Sequence, residues 1–225
     1  MALLELEDVS KQYQANGVVA PALRNVSLRV EAGQFVAVVG RSGCGKSTLL
    51  NLAGAMDFPT TGRVLISGTD TSRLNDGGLT RIRRNTVGFI FQFFQLLPTL
   101  TALENVELPL LLAQRRNSRE AALERLRWVE MDEFAGRHPH QLSGGQMQRI
   151  AIARALVHSP RLLLADEPIG NLDTKTGRDV TALLRRTASN LGAAVVMATH
   201  SRESAEICDV VVRLRDGEIE EIEHR

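Results

Sequence analysis

The chain has 225 residues, enough to bury a full core in one or two domains. Its 27 lysines and arginines balance 26 aspartates and glutamates, so bulk charge offers no hold on nucleic acid, and no nucleic-acid partner is expected. Two cysteines, Cys44 and Cys208, exclude a disulfide framework and fit a reducing compartment.

The start, Met1-Ala2-Leu3-Leu4, runs straight into the acidic Glu5, Glu7 and Asp8, which is not the pattern of a secretory leader. No apolar run approaches the ~20 residues that cross a bilayer, so a membrane role has to come through a partner. Leu4 and Leu6, then Val26, Leu28 and Val30, alternate as half-buried strands do. Ala32-Gly33 turns the chain into the apolar run Phe35-Val36-Ala37-Val38-Val39. Gly40-Arg41-Ser42-Gly43-Cys44-Gly45-Lys46-Ser47-Thr48 follows at once, in the order strand, glycine-rich turn, helix. A triphosphate needs many donors and little side-chain bulk, and the three glycines let the backbone bend and approach it closely. The freed N–H groups converge on phosphate oxygens, helped by the positive end of the helix. Lys46 can reach the β- and γ-phosphates, and the Ser47 hydroxyl can ligate Mg²⁺. Cys44 sits where a small residue is wanted and reads as filler.

Arg63-Val64-Leu65-Ile66-Ser67-Gly68 and Thr86-Val87-Gly88-Phe89-Ile90-Phe91 read as short strands, the second ending at Gln92. Beyond Phe94 the period changes. Leu103, Val106, Leu110 and Leu111, then Leu123, Leu126 and Val129, recur at helical spacing, which predicts a helical insert over 94–158. Inside it, Leu142-Ser143-Gly144-Gly145-Gln146 precedes the run from Met147 to Leu156. Ser143 is a natural N-cap, and the glycines expose N–H groups at a helix start, which makes a second anion site. A simple kinase or GTPase needs one phosphate cradle, so two in one chain suggest that two chains sandwich each nucleotide.

Strands return at Arg161–Ala165 and Ala193–Met197, continuous apolar runs of the kind covered on both faces. The first ends in Asp166-Glu167-Pro168. Alone, such an acidic pair is a solvated strand end. Behind a phosphate loop, Asp166 can hold Mg²⁺ opposite Ser47, and Glu167 can orient or deprotonate the water that attacks the γ-phosphate. The run Val210–Ile219 reads as a hairpin with an Asp216-Gly217 turn. The expected architecture is α/β with a mainly parallel sheet, in which ligands bind at the carboxyl ends of the strands. Lys46, Gln92, Asp166 and His200 all fall at or just past such an end.

Leu142-Ser143-Gly144-Gly145-Gln146 is the signature sequence of ATP-binding cassette (ABC) ATPases, and the chain resembles them from end to end. The resemblance implies a P-loop NTPase fold with a RecA-like, mainly parallel sheet, an antiparallel β subdomain and an inserted helical subdomain. It divides the chain into a core at 1–93 and 159–225 and a helical subdomain at 94–158. ATP and Mg²⁺ are the implied ligands, with hydrolysis to ADP and phosphate. Tyr13 matches the aromatic that stacks on adenine, and Gln92 the glutamine that senses Mg²⁺ and the attacking water. Asn171-Leu172-Asp173 resembles the loop that crosses the dimer interface, with Asp173 as its carboxylate. His200 resembles the switch histidine that contacts the γ-phosphate. By the same resemblance Leu142–Gln146 bind ATP held by the opposite protomer, in a head-to-tail homodimer. Ile169 departs from the small hydroxyl residue that many relatives carry there.

Arg84 to Val106, together with Asp166 to Asp173, is similar to the bacterial branch of lipoprotein-releasing, macrolide-efflux and cell-division ABC ATPases. That branch implies an integral membrane, permease-type partner and a place on the cytoplasmic face of the membrane, peripheral through that partner. Phe91, Phe93 and Phe94 around Gln92, extended by Leu96, Leu97 and Pro98, fit a groove for the partner's coupling helix, with Phe91 expected in the core. The arginines at 81, 83, 84, 115, 116 and 119 read as a solvated face. The alternative is a soluble ABC ATPase in cytosolic assembly, such as metal-cluster biogenesis, without a membrane partner.

Overall fold

The chain opens on two long antiparallel strands, β1 (Ala2–Ala15) and β2 (Val18–Glu31). The computed structural model describes residues 2–15 and 18–225; Met1, Asn16 and Gly17 lie outside the described residues. β1 also pairs with β4 (Thr61–Ile66), and β4 with β5 (Thr69–Asp70), giving an antiparallel sheet in the order β2-β1-β4-β5. Asp8 and Asn25 take positive φ next to register shifts in the β1–β2 ladder, and such bulges bend a long ribbon.

The second sheet has the order β10-β9-β3-β8-β7-β6. Its members are β3 (Phe35–Val39), β6 (Val87–Ile90), β7 (Leu162–Asp166), β8 (Ala194–Thr199), β9 (Val210–Arg215) and β10 (Glu218–His224). All neighbours are parallel except β9 and β10. Asp216 and Gly217 both take positive φ, so the closing hairpin turns as type I′, the form that matches strand twist.

The parallel strands are apolar without interruption because both faces are covered. Successive side chains alternate between two cores. Val36, Val38, Leu162, Leu164, Val196 and Val212 enter the core shared with the antiparallel sheet and helix α1 (Lys46–Ala53). Phe35, Ala37, Leu163, Ala165, Val195, Met197 and Val211 enter the core on the other face. That second core is closed by α3 (Ala102–Leu112), α4 (Ser118–Trp128), α5 (Gly144–Leu156) and α6 (Thr174–Leu191). Helix α7 (Arg202–Glu206) follows β8.

The helical spacing read over Leu103–Leu111 and Leu123–Val129 corresponds to α3 and α4. Thr101 and Glu104 cap α3 reciprocally, which ends the preceding loop sharply. Helices α2 (Asp76–Asn85) and α6 lie where the sequence reading placed no element. α6 buries Val180, Leu183, Leu184, Thr187 and Ala188, a stripe at helical period.

His158, just beyond α5, has Nε2 3.0 Å from the carbonyl oxygen of Val87. Burial holds its imidazole below the ordinary value, against the bond to Val87. The unfolded chain therefore binds a proton at a pH where the folded chain does not, and stability falls as pH drops below ~6.5. A His158→Gln protein keeps a donor for Val87 and loses the titration. In thermal melts its Tm should match the wild type at pH 7.5 and exceed it at pH 5.5; equal melting at both values would remove His158 from the acid limb.

Candidate functional site

The carboxyl ends of β3, β8, β7 and β6 lie side by side, and each delivers one chemical group. Lys46 follows β3, His200 follows β8, Asp166 and Glu167 end β7, and Gln92 follows β6. The order of strands in space, not in sequence, assembles them.

The turn at 40–45 bends back so that Gly45 takes φ of 108° at the start of α1. A Cβ there would lie 2.5 Å from the carbonyl oxygen of Ala22, so the position demands glycine twice over. At Gly40 a Cβ would run into the carbonyl oxygen of Leu214 and the Sγ of Cys44. Cys44 is buried against that turn. Lys46 is only 7% exposed, and its ammonium donates to the carbonyl oxygens of Gly40 (2.9 Å) and Arg41 (3.2 Å). The same ammonium lies 3.6 Å from Glu167 Oε1.

Glu167 takes φ of 44°, an uncommon conformation for a side chain of this size, directly after the strand and before Pro168. Its amide donates to the carbonyl oxygen of Ala198 (3.0 Å), which pins the residue to β8. Its carboxylate spans two partners, Lys46 on one oxygen and His200 Nδ1 at 2.9 Å on the other. The imidazole of His200 is otherwise 69% exposed.

Asp166 points into the protein beside them. Burial pushes its carboxyl above the usual range and Glu167 adds to the rise, while the Ser47 hydroxyl and Lys46 oppose it. Its Oδ1 is buried without a hydrogen-bond partner among the described residues. A buried carboxylate oxygen with no donor, next to a serine hydroxyl at a phosphate loop, fits a hard cation with oxygen ligands. Among the described residues no group of three or more His, Cys, Asp or Glu is arranged to hold a metal ion by itself. Such a set suits an ion that also binds phosphate oxygens.

Gln92 is exposed and begins a loop that differs from the reading of its aromatics. Phe91 is half-buried rather than core, with its ring 4.5 Å from that of Phe89. Phe94 is also half-buried, with the end of its ring toward Gly144 at the start of α5. Phe93, at 69% exposure, and Leu97 are the apolar side chains that the loop presents outward. Buried Asn105 ties the loop down, accepting from Leu97 N–H (2.7 Å) and donating to the carbonyl oxygens of Leu97, Leu100 and Thr101. Phe94 and Gln95 take consecutive positive φ values, and Arg154 of α5 donates to both carbonyl oxygens at 2.8 and 2.5 Å. Burial lowers the Arg154 pKa. Nothing in the spacing of Arg154 pointed to this loop.

Ser143 caps α5 as expected, accepting from Gln146 N–H (3.3 Å) while Gln146 Oε1 accepts from Ser143 N–H (2.9 Å). Gly144 lies near Leu172, and a Cβ on Gly145 would lie 2.5 Å from Thr176 Cγ2. Asp173 caps α6 by accepting from Thr176 N–H (3.0 Å) and Thr176 Oγ1 (2.6 Å). Asn171 donates to the carbonyl oxygen of Gln92 (3.3 Å). The starts of α5 and α6 and the Gln92 loop therefore form one cluster. Among the described residues no hydrogen bond or ion pair joins residues 142–146 to residues 40–48. Tyr13 stands on β1 at 41% exposure, with its hydroxyl on Asp57 (2.9 Å). Asp57 is a site neighbour that the sequence reading passed over.

Residues 23–170 match the family described as ABC transporter. The chain belongs to the ABC transporter family. It is 49% identical over 219 residues to the lipoprotein-releasing system ATP-binding protein LolD of Anaeromyxobacter dehalogenans, covering 96% of this chain and 92% of that one. It is 46% identical over 224 residues to the ABC transporter ATP-binding protein MJ0796 of Methanocaldococcus jannaschii, covering 97% and 95%. A solved dimeric, post-hydrolysis structure of the MJ0796 cassette bound to ADP and Pi superposes with a TM-score of 0.91 at 45% identity, over 98% of each chain. This ABC protein is an ATPase cassette built on the P-loop NTPase fold.

Proposed function

We propose that this ABC cassette powers a separate integral membrane subunit, in a transporter or mechanotransmission complex, through ATP-driven closure of a head-to-tail homodimer. The observation that carries the reading is the seat of Glu167 between Lys46 and His200, beside the partnerless oxygen of Asp166. Residues 40–48 cradle the phosphates and Lys46 leaves Glu167 to meet the β- and γ-phosphates. Glu167 takes the proton of the attacking water, and His200 orients that carboxylate and contacts the γ-phosphate. Ser47, Asp166 and Gln92 would hold Mg²⁺. When bound, the metal neutralises charge on the β- and γ-phosphate oxygens. Leu142–Gln146 complete the site of the opposite protomer, and Asp173 belongs to the loop between the two.

In this reading the core is 1–93 with 159–225, and the helical subdomain is 94–158. ATP bridges Lys46 of one protomer and Ser143 of its partner, so closure is a population shift driven by nucleotide binding and reversed by hydrolysis. Phe93 and Leu97 form the outward end of the docking surface on the cytoplasmic face of the membrane. The likeness to LolD, together with 46% identity to a MacB protein of Brucella abortus in which this chain spans only 34% of the length, supports the branch. No helix among the described residues is long and apolar enough to cross a membrane.

The test is a pull-down from detergent-solubilised membranes with tagged Glu167→Gln protein and Mg²⁺-ATP, read by mass spectrometry. Recovery of a membrane protein with a large extracytoplasmic domain is expected. A closed dimer with soluble partners alone would overturn the membrane reading in favour of cytosolic assembly. A Phe93→Ser, Leu97→Ser double variant should lose that recovery while its isolated ATPase rate stays within about twofold of wild type.

A further inference from the structure

Asp57 lies just past the C-terminal end of α1, the helix whose first turn carries Lys46, Ser47 and Thr48. It faces β1, where period-two alternation puts Lys11 and Tyr13 on one face. Three donors converge on its carboxylate. Lys11 Nζ (2.6 Å) and the Phe58 N–H (2.7 Å) reach Oδ1, and the Tyr13 hydroxyl (2.9 Å) reaches Oδ2. Lys11 also donates to the carbonyl oxygen of Phe58 (2.8 Å), and its ammonium sits 4.9 Å from the centre of the Tyr13 ring.

We propose that Asp57 is a positioning residue for nucleotide binding: with Lys11 it fixes the Tyr13 ring relative to the phosphate loop, so that the ring offers one open face to a purine base. The inference rests on the reading of Tyr13 as the base-stacking residue. Stacking requires a ring held at one height and tilt above the bound phosphates, and a tyrosine on an exposed strand has free rotamers to lose. Here the ring is tied through its hydroxyl to Asp57, just beyond the C-terminal end of the helix that the phosphate loop begins. The base-to-phosphate distance is thereby set by one short helix. Lys11 covers one face by cation–π contact, and the base stacks on the opposite one. Burial pushes the Asp57 carboxyl up, but the bonds from Lys11, Phe58 and Tyr13 outweigh it and hold the group ionised below its usual range. Burial and Asp57 together raise the Tyr13 phenol. An ionised acceptor and a protonated phenol are the states in which the tie is strongest.

The experiment compares Tyr13→Ala, Tyr13→Phe and Asp57→Ala proteins by calorimetric binding of ATP and of inorganic tripolyphosphate, which has no base. Tyr13 is the only tyrosine, so phenolate absorbance titrates it alone while far-ultraviolet circular dichroism reports that the fold is native. Asp57→Ala should lower the phenol titration midpoint and raise the Kd for ATP about fivefold, the scale of one aromatic stack. Tripolyphosphate affinity should stay at the wild-type value. Tyr13→Phe, which keeps the ring and removes only the tie, should show the same split and decides the matter if Asp57→Ala does not fold. A lowered phenol midpoint with unchanged ATP affinity would overturn the role of Asp57, as would a parallel loss of tripolyphosphate binding. Unchanged ATP affinity in Tyr13→Ala would instead overturn the base-stacking reading itself.

Discussion

Glu167→Gln protein should bind ATP as tightly as wild type and turn it over about a hundred- to ten-thousandfold more slowly, the range for removing a general base. The change is isosteric. The amide oxygen still accepts from His200, as the carboxylate does at 2.9 Å, so the unusual backbone at Glu167 keeps its anchor. The lost charge faces Lys46 at 3.6 Å, and a neutral group there repels the γ-phosphate less, which favours the ATP-bound state. Size-exclusion chromatography with light scattering should therefore show an ATP-dependent dimer that persists, alongside phosphate release near background. Turnover near the wild-type rate would assign the proton transfer elsewhere.

Lys46→Ala protein should lose ATP affinity about 10- to 100-fold, the equivalent of one charge-assisted bond of ~1.5–3 kcal/mol. The ammonium is almost fully buried and has three neighbours, the carbonyl oxygens of Gly40 and Arg41 and the Glu167 carboxylate. Its removal leaves Glu167 and Asp166 as neighbouring acids with less compensation. Lys46→Arg should fail almost as badly, because a planar guanidinium does not fit where a compact ammonium sits against the turn. Calorimetric titration with ATP decides it: an affinity within threefold of wild type in the alanine variant would reject Lys46 as the phosphate ligand.

Much of this arrangement is legible in the residues themselves. Uninterrupted apolar runs such as Phe35–Val39 and Leu162–Ala165, short and bounded by turn residues, read as strands covered on both sides, and parallel sheets gather ligand groups at such strand ends. Ser143 and the Asp216-Gly217 turn follow from local chemistry that needs no tertiary partner. α6 is equally legible, since Val180, Leu184 and Ala188 keep helical spacing behind the Asp173 cap. Asp57, Arg154 and the inward turn of Phe94 were not legible. Their partners are a strand-borne hydroxyl, two backbone carbonyls and a helix start far away in sequence, and no periodicity encodes such pairs.

Phe94 and Gln95 hold two adjacent left-handed backbones without glycine, which costs on the order of 1–2 kcal/mol for each residue. Arg154 offsets that cost, and it stands near the far end of the same helix that Ser143 begins. The turn after Gln92 is thus a loaded spring with its catch on α5. A tilt of α5 that drew the guanidinium from those carbonyls would remove what holds the turn. In the dimer proposed above, Ser143 would serve one nucleotide site and Gln92 the other, and about 16 Å of α5 separates the cap at Ser143 from the guanidinium that holds the Gln92 loop.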